Sequence, residues 1–398
     1  MSILHLTVPR QLEETLGSYC SRLAALHGAY SAREFSGYLG FSFTELLRGS
    51  DIHVEIFSRI ASIEEADVRE VLIQILGTTL RNVRGHMFTR DHIVSTKSKF
   101  CPHCLLDDES SGIGRRGSRA YMRISWLPRF SRVCPIHQST LVTAIPGGLG
   151  MYGDAIGGLR ADNAEWSDYL YRAELGQATP AQSYLIDRFM NRPTEELWLN
   201  KFPVQAAAHF IDIVGAVERH GIEVSFEKLD VLEQSACAQR GFEIAAGGQG
   251  SVKAFLAGLV KGYYRGRSNM GAHAIFGELA DEMSYRANLP GYDRIVKLMQ
   301  RVAIENLPIG PGDNFLGPVR QRRQLHSLTS AAEENEIGAH TLRNFMIERG
   351  LIASTKCSLA RAVFHPSAIR DIIAPIKALG LTGAARAKRL RNARRSAN

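Results

Sequence analysis

Nowhere in the 398 residues is there an apolar run approaching the ~20 that a membrane-spanning helix needs. Residues Met1–Arg10 lack the charged-then-apolar layout of a secretory signal, so a cytoplasmic location with no membrane partner is expected. The Gly247-Gly248-Gln249-Gly250 run lacks the Gly-Lys-Ser/Thr that would make it a nucleotide cradle. No paired-carboxylate motif stands out. The His-x-Glu that precedes the cysteines of a zinc deaminase is also missing, because the nearest histidine before Cys101, His92, is followed by Ile93-Val94. Together these absences predict a protein that is not an enzyme. Cysteine is scarce, with six in the chain, and without a secretory context disulfides are not the expected use.

What is present is basic and foldable. The net charge of +8 and pI of about 9.2 favour a polyanionic partner. With 45% hydrophobic residues and a mean hydropathy of −0.12, the chain is expected to fold into about two to four domains.

The most specific pattern is Cys101-Pro102-His103-Cys104, then 29 residues, then Cys134-Pro135-Ile136-His137. Two thiolates three positions apart grip one ion from a tight turn, and Pro102 and Pro135 hold the same place in both half-sites. Cys101, Cys104, Cys134 and His137 complete a tetrahedral set for one zinc ion. Three thiolates and an imidazole leave no open coordination position, so a closed, structural Zn2+ site is expected. Ala120–Trp126 alternates apolar and polar residues and predicts a strand feeding the second half-site. Cys20, Cys237 and Cys357 are expected to be buried free thiols.

Periodicity predicts a mainly α, multidomain chain. Residues 1–96 read as a helical N-terminal domain, beginning with an amphipathic helix over Gln11–His27 that Gly28 stops. Helices are predicted over Ser31–Leu39, Phe43–Leu47 and Val54–Ala61, and one after a Ser62-x-x-Glu65 capping box with Val68, Val71, Leu72 and Ile75 inward. Residues 97–145 form a small zinc ribbon of short strands. Arg115, Arg116 and Arg119 lie in its Gly-rich loop, with Arg123, Arg129 and Arg132 beyond. Such a loop contacts phosphates, meets an acidic protein surface or is simply solvated. A helical middle domain, 146–318, opens on a Gly-rich connector. It then has helices starting at Thr179-Pro180 and over Ala206–Val217, Val252–Tyr264, Ala274–Tyr285 and Tyr292–Ile304.

Residues 319–383 read as a helix-turn-helix domain. A Ser330-x-x-Glu333 capping box starts a short helix over Ala331–Asn335, with small Ala332 against its partner. A turn at Glu336–Gly338 leads to a second helix, Ala339–Arg349, with Leu342, Phe345 and Met346 inward. Asn335 is the turn residue expected to tolerate a left-handed conformation. The outward face carries His340, Thr341, Arg343 and Asn344, types that reach base edges or phosphates. Helix pairs of this kind also serve protein contacts. The basic tail, 384–398, with Arg386, Lys388, Arg389 and Arg391, is attracted to phosphates without sequence preference.

These residues resemble the TniQ/TnsD family of transposition target-selection proteins. The resemblance rests on Glu14-Thr15-Leu16, Ser18-Tyr19, Arg22-Leu23-Ala24 and Gly28, and on Cys101-Pro102-x-Cys104 with Arg123-Ile124-Ser125-Trp126 and Val133-Cys134-Pro135-x-His137. Gly271–Leu279 and the terminal helix-turn-helix extend it over most of the chain. Many members have a further cysteine pair after the histidine; Leu141–Leu159 has no cysteine, so one zinc, not two, is expected. The resemblance implies a non-enzymatic adaptor. Such a protein marks a target, by binding double-stranded DNA or by docking on an RNA-guided complex, and recruits an AAA+ ATPase regulator that activates the transposase; a homodimer is compatible with that role. The other reading is a stand-alone, zinc-containing helix-turn-helix transcription regulator.

Overall fold

The computed structural model describes residues 3–93, 99–144, 154, 166–263, 271–352, 358–360 and 362–378. Helices dominate and the strands are short. The chain divides into two compact units: Met1–Gly221 with Ser225–Ala246, and Ile222–Val224 with Gly247–Asn398.

The first unit is built on α1 (Leu16–Leu26), every residue of which is buried. A helix buried all round must satisfy its own polar side chains. Arg22 does so by pairing with Glu14 at 2.6 Å, both side chains almost fully excluded from solvent. The Arg22 guanidinium also donates to the carbonyls of Ser118 (2.9 Å) and Pro9 (3.3 Å). Glu14 accepts in turn from Ser18 Oγ (3.0 Å) and the Gln11 amide (3.2 Å). Burial pushes the Glu14 carboxyl above its usual range, against the pull of Arg22.

Helix α1 starts at Leu16, with Thr15 capping the Ser18 amide, and not at Gln11 as its periodicity suggests. Residues 13–15 are taken up by pairing with the chain near Met122: Thr15 N donates to Met122 O (3.0 Å) and Ile124 N to Glu13 O (2.7 Å). Leu12 is left 81% exposed in consequence.

Four short helices follow: α2 (Ala32–Tyr38), α3 (Phe43–Leu47), α4 (Asp51–Ala61) and α5 (Glu65–Glu70). The Ser62–Glu65 capping box does not form. Ser62 instead ends α4 in the left-handed region (φ 53°), and α5 has no side-chain cap. The stretch expected to continue that helix is strand β1 (Ile73–Leu76), which pairs antiparallel with β2 (Leu80–Val83), and β2 with β3 (His86–Thr89). Arg84 and Gly85 both take positive φ (53° and 82°), as the two-residue turn joining β2 to β3 requires.

Next come β4 (Lys99–Phe100), α6 (Pro102–Ser111), β5 (Val133–Cys134), β6 (Ser139–Thr140) and β7 (Val142–Thr143). β4 pairs with β7 and β5 with β6, both antiparallel. The strand expected over Ala120–Trp126 is absent. That segment runs extended to an isolated bridge between Arg123 and Glu14, then makes a 3-10 turn at Ile124–Trp126. Its alternation reflects burial between α1 and α6, with Ala120, Met122, Ile124 and Trp126 inward.

Helices α7 (Trp166–Arg172), α8 (Pro180–Phe189), α9 (Val204–His220) and α10 (Val231–Ala246) complete the unit. α9 and α10 cross in backbone contact. A Cβ on Gly215 would lie 1.7 Å from the Cys237 carbonyl oxygen, and one on Gly241 1.9 Å from that of Ile211. Only glycine permits that approach.

The second unit contains α11 (Gly248–Tyr263), α12 (Ala272–Phe276), α13 (Glu278–Tyr285) and α14 (Tyr292–Asn306). The single helix expected over Ala274–Tyr285 is broken at Gly277, whose φ of 53° and ψ of −131° no helix accommodates. A three-helix cluster follows: α15 (Leu328–Glu334), α16 (Ala339–Glu348) and α17 (Pro366–Ala378), around Leu328, Ala332, Leu342, Met346, Ile369 and Ile373. The capping box lies three residues earlier than expected, between Ser327 and Ser330. Glu336, not Asn335, takes the left-handed conformation of the turn (φ 57°). The Asn335 side chain instead bonds back to Ala331 O (2.9 Å).

Two outcomes are expected. Arg22→Met leaves Glu14 buried and unpaired and destabilises the first unit by about 3–5 kcal/mol. Denaturant unfolding followed by tryptophan emission reads this selectively, because Trp126, Trp166 and Trp198 all lie in that unit; an unchanged midpoint contradicts it. Glu336→Gly relieves left-handed strain at an exposed turn and slows amide exchange in α15 and α16 by an amount worth about 1 kcal/mol.

Candidate metal centre and basic surfaces

Cys101 stands at the N-cap position of α6, Pro102 at its first turn, and Cys104 one turn in. The first half-site is therefore a helix N-terminus, where the backbone N–H groups and the helix dipole favour thiolate. Cys134 ends β5, and His137 lies in the tight turn to β6 that Gln138 closes with φ 49°. Sequence-distant ligands are thus carried by one helix end and one hairpin. They are locked by a core of Phe100, Leu105, Met122, Trp126, Val142 and Tyr169, with Phe100 and Tyr169 edge to face at 5.1 Å.

The four ligand atoms lie within 4.8 Å of one another. Cys104 Sγ is 3.6 Å from Cys134 Sγ, and His137 Nδ1 is 3.6, 3.3 and 3.7 Å from the sulfurs of Cys101, Cys104 and Cys134. A tetrahedron with metal–sulfur bonds of ~2.3 Å and a metal–nitrogen bond of ~2.0 Å has edges of roughly 3.5–3.8 Å. The observed spacings fit it. Hydrogen bonds from Cys101 and Cys104 hold the Cys134 thiol far below its usual range, and contacts with Cys101 and Cys134 push Cys104 far above it. The crowded donor set is one that could hold a metal ion.

Residues around the ligands support the same reading. With Nδ1 facing the sulfurs, His137 Nε2 meets Asp107 Oδ2 at 2.8 Å, the carboxylate–histidine arrangement that orients a metal-bound imidazole. Asp107 lies on α6 one turn after Cys104. It escapes a reading that treats Cys101–Cys104 as a turn, and is found by continuing the helix. His103 stacks on His137 at 5.4 Å. Asp108, the next residue, makes a two-bond pair with Arg123 (2.9 and 3.0 Å), whose guanidinium also lies over Tyr121 and Trp126.

That pairing bears on the arginines of this region. Arg123 is held by Asp108, Arg129 by Glu227, and Arg132 by buried Asp212 at 2.6 Å. Arg119 donates to Gly114 O (2.8 Å) and Glu109 O (3.0 Å), and Arg115 to Leu26 O (3.4 Å). Arg115 and Arg116 are exposed. Most of the region's arginines are thus held by partners within the unit, leaving Arg116 and part of Arg115 to solvent. In the second unit, His340 and Asn344 are exposed on α16, and Thr341 and Arg343 are half-buried on the same helix. Arg386, Lys388, Arg389 and Arg391 lie outside the described residues, as does Cys357, while Cys20 and Cys237 are buried free thiols as expected.

A helical module clamped by a buried cysteine–histidine cluster is the class these elements define. Residues 5–141 match the family model TniQ. The match spans both the Glu14–Arg22 pair and the metal ligands. No curated protein matches the chain. Among the described residues no helix is long and apolar enough to cross a membrane.

If Asp107 orients His137, Asp107→Asn weakens metal binding by about 10–100-fold while the ligands stay in place. Competition with a chromophoric chelator measures this. The same titration run downward in pH releases the metal, because protons displace it from thiolate and imidazole. Unchanged affinity in the variant removes Asp107 from the site.

Proposed function

We propose that the chain is a target-selection adaptor. It links a target, double-stranded DNA or an RNA-guided complex, to an AAA+ transposition regulator and through it to the transposase. The observation that carries this reading is the TniQ match over residues 5–141 in a chain that continues into a second, separate helical unit. A connector needs two such parts. Cys101, Cys104, Cys134 and His137 hold one structural zinc ion, the assignment favoured by three thiolates, one imidazole and near-tetrahedral spacing. The zinc holds the α6 end and the β5–β6 hairpin in register. Recruitment of the ATPase falls to the first unit, and target contact to the helix-turn-helix of α15 and α16 with the basic tail. Both roles suit a cytoplasmic protein acting on DNA.

A second reading, a stand-alone transcription regulator, draws on the exposed His340 and Asn344 of α16, which suit a recognition helix. One experiment separates the two. The full chain is immobilised and offered an AAA+ transposition regulator from the same source, with and without duplex DNA. Retention supports the adaptor; no retention in either condition leaves the regulator reading.

The DNA contacts have their own test. Arg343→Ala with Asn344→Ala weakens binding to a preferred sequence by about 1–3 kcal/mol per lost base contact and relaxes specificity. Deleting 384–398 weakens binding to all DNA alike and flattens its salt dependence. Equal binding by all constructs assigns this surface to protein contact.

A further inference from the structure

The α9–α10 crossing brings a second set of donors together, none of which is contiguous in sequence with the first. His220 ends α9, and Glu233 and Cys237 lie one turn apart on α10. Their ligand atoms lie within 4.8 Å of one another. His220 Nε2 is 2.8 Å from Glu233 Oε1, and Cys237 Sγ is 3.9 Å from the same oxygen. Donors at i and i+4 project from one helix face, the spacing by which a helix offers two ligands to a single ion.

We propose that His220, Glu233 and Cys237 form a second transition-metal site, open to solvent at its remaining position. The three chemistries, imidazole, carboxylate and thiolate, are those that zinc and its neighbours accept, and three protein ligands with one free position distinguish this site from the closed first one. The scaffold is rigid where it matters. The Cys237 carbonyl packs against Gly215 at the point of backbone contact, so the Cβ positions of Cys237 and Glu233 are set by the crossing itself. Cys237 supplies a buried, inner ligand, whereas the Glu233 and His220 side chains are 28% and 35% exposed and have room to adjust. The hydrogen-bonded imidazole–carboxylate spacing opens by about 0.5 Å to reach the nitrogen–oxygen edge of a tetrahedral site.

Arg219 competes for this site. Its Nε donates to Glu233 Oε1 at 2.8 Å, and with His220 it holds the Glu233 carboxyl below its usual range. Burial pushes the Cys237 thiol up to about 11, so metal entry displaces a proton from sulfur as well as the guanidinium from the carboxylate. The second site is therefore weaker than the first, and Arg219 sets how much weaker.

The test uses the full chain with one equivalent of zinc already bound, titrated with Co2+ and followed by the near-ultraviolet thiolate-to-cobalt charge-transfer band. One further equivalent with a band from a single thiolate is expected. His220→Ala, at an exposed helix end where folding is not at risk, abolishes it, as does Cys237→Ser. Arg219→Gln tightens it several-fold, an outcome that a simple ion-pair cluster does not give. The proposal is overturned if no thiolate band accompanies a second equivalent, or if His220→Ala retains it. Because the readout concerns only metal binding at α9 and α10, it stands or falls independently of the adaptor role.

Discussion

Three thiols packed with a neutral imidazole in a space 4.8 Å across cannot all ionise unless a cation lies among them. The local architecture depends on that constraint. β4, β5, β6 and β7 are two residues each, far too short to hold together through their own hydrogen bonds. The residues surrounding the ligands, Phe100, Leu105, Trp126 and Val142, form a small core with the cysteines themselves as part of its wall. A metal held by the cluster would define such a core, as is general for small metal-stabilised modules.

A polar path ties the cluster to α1. Ser18 on α1 accepts from Met122 N (2.9 Å), in the segment leading to Arg123 and Asp108, beside the His137 partner Asp107. The same segment reaches Glu14 and Arg22 through Ser118 and the bridge at Arg123. The residues that carry the family resemblance are thus structural contacts: Glu14, Ser18 and Arg22 satisfy one another inside a buried helix, and Arg123 and Trp126 stack at the back of the metal centre.

How much of this was legible in the sequence follows from the range of each interaction. Spacing alone singled out Cys101, Cys104, Cys134 and His137, which the fold brings within 4.8 Å of one another, because ligands to one ion occur in short, recognisable pairs. Helix starts with a local chemical signal, such as Thr179-Pro180, were equally visible. The β1–β3 sheet was not, since Val68, Val71, Leu72 and Ile75 are spaced like a helix face and only the Arg84-Gly85 turn argues for strands. The regular alternation over Ala120–Trp126 suggested a strand, but its pairing partner is a single bridge to Glu14. Least legible was the donor set on α9 and α10. His220, Glu233 and Cys237 come together only because Gly215 and Gly241 let two helices touch, and periodicity carries no sign of that.

The central claim is that a zinc ion, held by three sulfurs and one nitrogen, organises the TniQ region. X-ray absorption at the zinc edge of the purified full-length protein tests it most directly. With the first equivalent bound, a first shell of three sulfurs at ~2.3 Å and one nitrogen at ~2.0 Å is expected. A shell of oxygen and nitrogen alone, or protein that keeps this fold with no zinc bound, would contradict it.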